Sequence, residues 1–139
     1  MPSKRRRTTR SKTPRFGCGV DVVELSRFKQ AIARGGEAFL RRVFTPQERA
    51  YARARRRTQL LHLAGRFAAK EAVVKAMSQL DPHRMLAMSR MEVRNDRFGR
   101  PRIVLRDRGA HAGTGRVDIH ISLSHVNSVA VASAIAIQH

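Results

Sequence analysis

Residues 117–125, VDIHISLSH, alternate strictly between apolar and polar side chains. Residues 129–137, VAVASAIAI, alternate again after only three intervening residues. A period of two puts Val117, Ile119, Ile121 and Leu123 on one face, and Asp118, His120, Ser122 and Ser124 on the other. Two such runs so close together read as antiparallel neighbours. The C-terminal part of the chain is therefore sheet, and the residues before it must supply what covers that sheet.

Residues 16–23 alternate as a first strand, with Phe16, Cys18, Val20 and Val22 on one face and Gly17, Gly19, Asp21 and Val23 on the other. Residues 24–34 fit a short helix with the stripe Leu25, Phe28 and Ile32, stopped by Gly35-Gly36. Thr45-Pro46-Gln47-Glu48 is a helix start: a Thr cap, Pro at the first helical position and Glu at the third. The helix over 46–57 then carries Arg53, Arg55, Arg56 and Arg57. A long helix spans 59–78, with Leu60, Leu63, Ala64, Phe67, Val74 and Met77 as apolar positions. Residues 79–90 contain Pro82 and read as a loop. Residues 91–94 and 102–105 are strands flanking the turn NDRFGRP. Strand, helices, then antiparallel strands make an α+β fold, one long helix and shorter helices packed on a small antiparallel sheet.

The chain has 139 residues, enough for one core and tight for two. Apolar residues make up 42%, which excludes wholesale disorder, and no apolar run is long enough to cross a bilayer. One cysteine, Cys18, excludes an internal disulfide framework and fits a reducing compartment, the cytoplasm. The net charge is +19, from 29 Lys and Arg against 10 Asp and Glu. Residues 1–15 hold seven of these cations and no acid, and lack the apolar side chains to pack. They read as a disordered basic tail ahead of a single domain at 16–139. The remainder keeps 22 cations against 10 acids, or +12, and should attract acidic partners.

Three features break the local pattern. Asp21 sits in a strand, where Asp is a poor fit unless it faces water at a strand end. Glu71 lies on the stripe traced by 60, 64, 67, 71 and 74, where a buried carboxylate needs a cation, hydrogen bonds or a metal. On a wetter face, the pair Glu71→Lys75 explains it for about 0.2–0.5 kcal/mol. Arg66, Lys70 and Lys75 form a cation set that is either a solvated helix face or a phosphate site. Two carboxylates holding a hard cation beside Lys and Arg is a common way to handle phosphoryl groups. His125, after a strand, is a turn residue, a core residue or a ligand contact. No CxxC, HExxH or P-loop pattern is present.

GVDVVELSRF (19–28), FTPQE (44–48), GRFAAKEAVVKA (65–76), DRFGRPRIVL (96–105) and ISLSHVNSVAVA (121–132) occur in this order. Together they resemble holo-(acyl-carrier-protein) synthase, the small trimeric class of 4′-phosphopantetheinyl transferase, over roughly 16–137. The resemblance implies transfer of 4′-phosphopantetheine from coenzyme A to a serine of an apo acyl carrier protein, with release of 3′,5′-ADP and a requirement for Mg²⁺. It implies Asp21 and Glu71 as metal ligands and Lys75 beside the transferred phosphate. It implies Arg66, Pro101 and His125 along coenzyme A. It leaves either Glu71 or a metal-bound water to take the serine proton. Arg27 and Arg34 would dock the acidic carrier; seven residues apart, they share a helix face. A homotrimer with interfacial sites is also implied. After Lys75-Ala76 the family continues into a Gly-rich loop, whereas this chain reads Met77-Ser78-Gln79-Leu80, and His62 stands where a bulky apolar residue is common.

The alternative is a basic nucleic-acid-binding protein using the tail and the 53–57 arginines, or a transferase relative with altered or lost activity. Against the first, the seven aromatics are not interleaved with the basic run, and Asp21 and Glu71 go unexplained.

Overall fold

Glycine and alanine, rather than large apolar side chains, set the central packing of this chain. The structure, a computed structural model, describes residues 13–106 and 115–139. Strand β1 (Arg15–Glu24) leads into helix α1 (Leu25–Val43), then α2 (Pro46–Arg53) and the long α3 (Gln59–Leu80). A hairpin of β2 (Met91–Asn95) and β3 (Pro101–Leu105) follows, then β4 (Val117–His125) and β5 (Val129–Gln138). The main sheet is antiparallel with order β1-β5-β4, and β2-β3 forms a separate pair.

Helix α3 lies directly on one face of the main sheet. Ala130, Ala132, Ala134 and Ala136 of β5 point at it, each at most 1% exposed. Beside them, Gly19 pairs with Ala134 and Gly17 with Ala136. A Cβ on Gly17 would stand 2.0 Å from the Ala76 carbonyl oxygen, and one on Gly19 2.0 Å from that of Ala72. No side chain fits between β1 and α3 at these two positions. The helix answers with Ala64, Ala68, Ala69, Ala72 and Ala76, all fully buried.

This corrects the stripe expected on α3. Of positions 60, 64, 67, 71 and 74, only Ala64 is fully buried, and the other four are half-buried at the margin. The deepest stripe runs through 68, 69, 72, 73, 76, 77 and 80. Alanines add little hydropathy, so they lose to Leu and Phe in a periodicity argument. Their small size is what lets the helix approach the sheet.

Helix α1 does not stop at Gly35-Gly36. It breaks there, with Gly36 at φ 56° and ψ −147°, and resumes to Val43. Only glycine adopts that geometry readily. The helix resumes because its second half has an aromatic core to join: Phe28 lies 6.2 Å from Phe39, 5.4 Å from Phe67 and 6.4 Å from Phe44, ring centre to ring centre. The expected start of α2 holds in both directions. Thr45 Oγ1 accepts from the Glu48 N–H at 3.3 Å, and Glu48 Oε1 accepts from the Thr45 N–H at 3.0 Å.

Where the family loop would begin, α3 runs on to Leu80. Gln79 Oε1 accepts the Cys18 N–H at 3.0 Å and so covers the free edge of β1. Of the basic tail read over 1–15, residues 1–12 lie outside the described residues. Arg15 is the first residue of β1, and its guanidinium donates to the Leu80 carbonyl at 3.0 Å. The far face of the sheet carries Phe16, Val20, Val22 and Ile135, exposed by 64%, 57%, 63% and 49%. No helix among the described residues is long and apolar enough to cross a membrane.

Candidate active site

Asp21 belongs to the helix-facing side of β1, two residues past Gly19. Its side chain is 17% exposed. Glu71 reaches the same place from α3. Both line an open cleft of about 580 Å³ whose other walls are Arg27, Phe28 and Phe39 of α1 and Phe67 of α3. Lys75, one turn beyond Glu71, donates to Asp21 Oδ1 at 3.0 Å and to the Val20 carbonyl at 2.9 Å.

The electrostatics couple these groups. Burial pushes the Glu71 carboxyl above its ordinary value, the Asp21 charge pushes it further, and Lys75 opposes both. Two carboxylates from different elements thus repel each other in one cleft, a situation that a shared cation relieves. Among the described residues no cluster of three or more His, Cys, Asp or Glu side chains could hold a metal. Two carboxylates beside a lysine suit Mg²⁺, which keeps waters and takes substrate phosphate, better than an all-protein cage.

Arg66 lies elsewhere. It is 5% exposed, and its Nε has no hydrogen-bond partner. Its guanidinium stacks over the Tyr51 ring at 4.1 Å, as does that of Arg55 at 3.5 Å. His62 meets the same ring edge-on at 5.3 Å. Arg66, Tyr51 and Asn95 line a second concavity, of about 320 Å³. His125, exposed at the end of β4, is close enough for its charge to act on His62. Pro101 opens β3 and lines a third concavity with Arg100, Arg102 and residues 119–123 of β4. Arg27 and Arg34 are both exposed on α1 ahead of its kink.

Asp21, Glu71, Lys75 and Arg27 therefore come together, Arg66 and His125 form a second group, and Pro101 stands apart from both within one chain. Lys70 leaves the expected cation set altogether. It is fully buried, and its Nζ donates to Glu48 Oε1 and to the Val43 carbonyl, both at 2.5 Å, and to the Met88 carbonyl at 3.0 Å. Burial pulls its ammonium below the ordinary value, and Glu48 opposes that. Lys70 joins α3 to α2, to the end of α1 and to the turn before β2, so it is neither a solvated residue nor a phosphate ligand. Its i,i+4 spacing from Arg66 could not separate these cases. Tyr51 and Arg55 were not legible as site residues, because their link to Arg66 is tertiary.

Residues 17–134 match the family model described as the 4′-phosphopantetheinyl transferase superfamily. A holo-(acyl-carrier-protein) synthase of Caldicellulosiruptor saccharolyticus is 40% identical over 123 residues, 87% of this chain and 95% of that protein. One of Geotalea daltonii is 38% identical over 119 residues, 84% of this chain and 94% of that protein. The fold matches the ACPS–CoA complex of Chronobacterium ammoniagenes with a TM-score of 0.79 at 32% identity, covering 90% of this chain and 98% of that one. It matches the acyl carrier protein synthase of Mycobacterium tuberculosis with a TM-score of 0.69 at 35% identity, covering 88% and 97%. The chain belongs to the 4′-phosphopantetheinyl transferase superfamily and, within it, to the holo-(acyl-carrier-protein) synthases.

Proposed function

We propose that the protein transfers 4′-phosphopantetheine from coenzyme A to the serine hydroxyl of an apo acyl carrier protein in a Mg²⁺-dependent reaction. The observation that carries this reading is the cleft shared by Asp21 and Glu71, with Lys75 bound to Asp21 at its edge. A relative solved as a CoA complex, and curated relatives named for the carrier, supply the two substrates.

Asp21 and Glu71 would hold the Mg²⁺, which when bound draws charge from the pyrophosphate and lowers the cost of the developing anion. The carrier serine Oγ attacks the phosphorus next to pantetheine. The bond from that phosphorus to the bridging oxygen breaks, and 3′,5′-ADP leaves with the electron pair. Glu71, or a water beside it, takes the serine proton. Lys75 offsets negative charge at the transferred phosphate. Arg66 and His125 bind the nucleotide end, and Pro101 lines its pocket. Arg27, on the wall of the Asp21 cleft, and Arg34 guide the acidic carrier, whose approach the basic surface accelerates.

The same reading makes the protein a homotrimer. Within one chain the carboxylate cleft and the Arg66 concavity have separate linings, as expected for half-sites completed across an interface. The exposed apolar face of Phe16, Val20, Val22 and Ile135 is what a partner copy would cover. The nucleic-acid alternative gives the paired carboxylates no role. The test is label transfer from a fluorescent coenzyme A conjugate to apo carrier protein. Labelling that needs Mg²⁺ and the carrier serine supports the reading. A folded protein that labels no carrier contradicts it.

A further inference from the structure

Around Tyr51 the structure gathers more positive and titratable groups than packing requires. Arg55, in the turn after α2, and Arg66 from α3 both lie over the ring, and His62 of α3 meets its edge. His125 approaches from the end of β4. The carboxylate that acts on Arg66 is Glu48, and its Oε1 is already bound to Lys70. Arg66, almost wholly buried, keeps an unpartnered Nε. Its NH1 donates to the His62 carbonyl of its own helix at a long 3.5 Å, and its other side-chain partner is the neutral Tyr51 hydroxyl. Such a cluster is short of one anion.

We propose that His62 is a proton-linked binding residue for the phosphate-bearing end of the nucleotide: neutral in the free protein, it takes up a proton when a phosphate group enters the Arg55–Tyr51–Arg66 cluster. The inference rests on the reading that Arg66 receives the nucleotide of coenzyme A. It goes beyond that reading in giving His62 a part in recognition, at a position where a bulky apolar residue is common in the family.

The charges give the direction. Burial lowers the His62 imidazole below its usual 6.5, and the cations Arg66, Arg55 and His125 lower it further. A phosphate group cancels the repulsion from the two guanidiniums, so the pKa rises in the complex. By linkage, the protonated protein then binds the ligand more tightly, by about tenfold for each unit of rise. Affinity increases as pH falls from above the bound-state pKa to below the lowered free-state value.

The experiment is an NMR titration of the His62 imidazole, assigned by its loss in His62→Gln, with and without adenosine 3′,5′-bisphosphate. It is paired with calorimetric proton uptake in two buffers of different ionisation enthalpy. The expected result is a rise of about one unit on binding. Proton uptake should be reduced in His62→Gln and largely kept in His125→Gln. Ligand binding with an unmoved His62, or uptake that disappears only in His125→Gln, overturns the inference and leaves the transferase reading standing. A folded protein that binds no adenosine 3′,5′-bisphosphate at any pH overturns both.

Discussion

Replacing Lys70 with methionine should unfold the protein far more readily while telling little about substrate binding. The ammonium sits at 0% exposure against a Glu48 side chain also at 0%. Removing it leaves a buried carboxylate without its cation, a loss of about 3–5 kcal/mol for pairs of this kind. The Val43 and Met88 carbonyls also lose a donor, while methionine restores part of the packing. Glu48 keeps the Thr45 and Val93 N–H groups, at 3.0 and 3.1 Å, which softens the loss. The net expectation is about 4 kcal/mol, a large share of the roughly 5–15 kcal/mol that holds a domain together. Urea denaturation followed by circular dichroism, at fixed protein concentration, reads it directly. Lys70→Met/Glu48→Gln should lose less than the two single variants added together, because the double variant strands no charge. A Lys70→Met protein within about 1 kcal/mol of the parent, well below the loss expected of a broken buried pair, would refute the reasoning. Weakened coenzyme A binding at unchanged stability would restore Lys70 to a phosphate site.

Three further outcomes follow from the geometry. Gly19→Val should prevent α3 from seating on β1 and yield little soluble folded protein, whereas Gly36→Ala, strained at its positive φ but with open space around it, should fold with a loss of about 1–3 kcal/mol; expression and thermal melts compare them. If the protein forms the proposed homotrimer, Val22→Glu should yield single chains with little transferase activity, as read by light scattering after gel filtration. Glu71, whose carboxyl is raised above its ordinary 4.5, holds its proton more tightly in the folded protein than in the unfolded chain. Without Mg²⁺, its contribution to stability is present below 4.5 and is lost as pH rises through the raised value. Mg²⁺ competes with that proton, so the stabilisation by Mg²⁺ should grow over the same window. Glu71→Gln should abolish both trends in pH-dependent melts.

Elements with strong local signals were legible from the residues: the alternating β4 and β5, the Thr45-to-Glu48 cap, and the length of α3. What escaped depended on partners distant in sequence. The kink at Gly36 looked like a stop because the ring of Phe28, which recruits Phe39 after the break, is not visible from Gly35-Gly36. Glu71 was found as a carboxylate out of place, although the stripe that made it look buried lies at the edge of the true core. Lys70 was misread because a lysine at helical spacing from Arg66 gives no local sign that Glu48 and two carbonyls await it. Asp21 and Glu71 are the reverse case: 50 residues apart, they share a cleft because Gly17 and Gly19 let α3 lie on β1.

The most direct measurement is the intact mass of an apo acyl carrier protein after incubation with this protein, coenzyme A and Mg²⁺, run beside samples with EDTA and with Glu71→Gln. A gain of one phosphopantetheine, lost in both controls, is the predicted result. An unmodified carrier in every sample, with the protein folded and assembled, would contradict the account, and equal modification with EDTA or Glu71→Gln would remove the paired carboxylates from its centre.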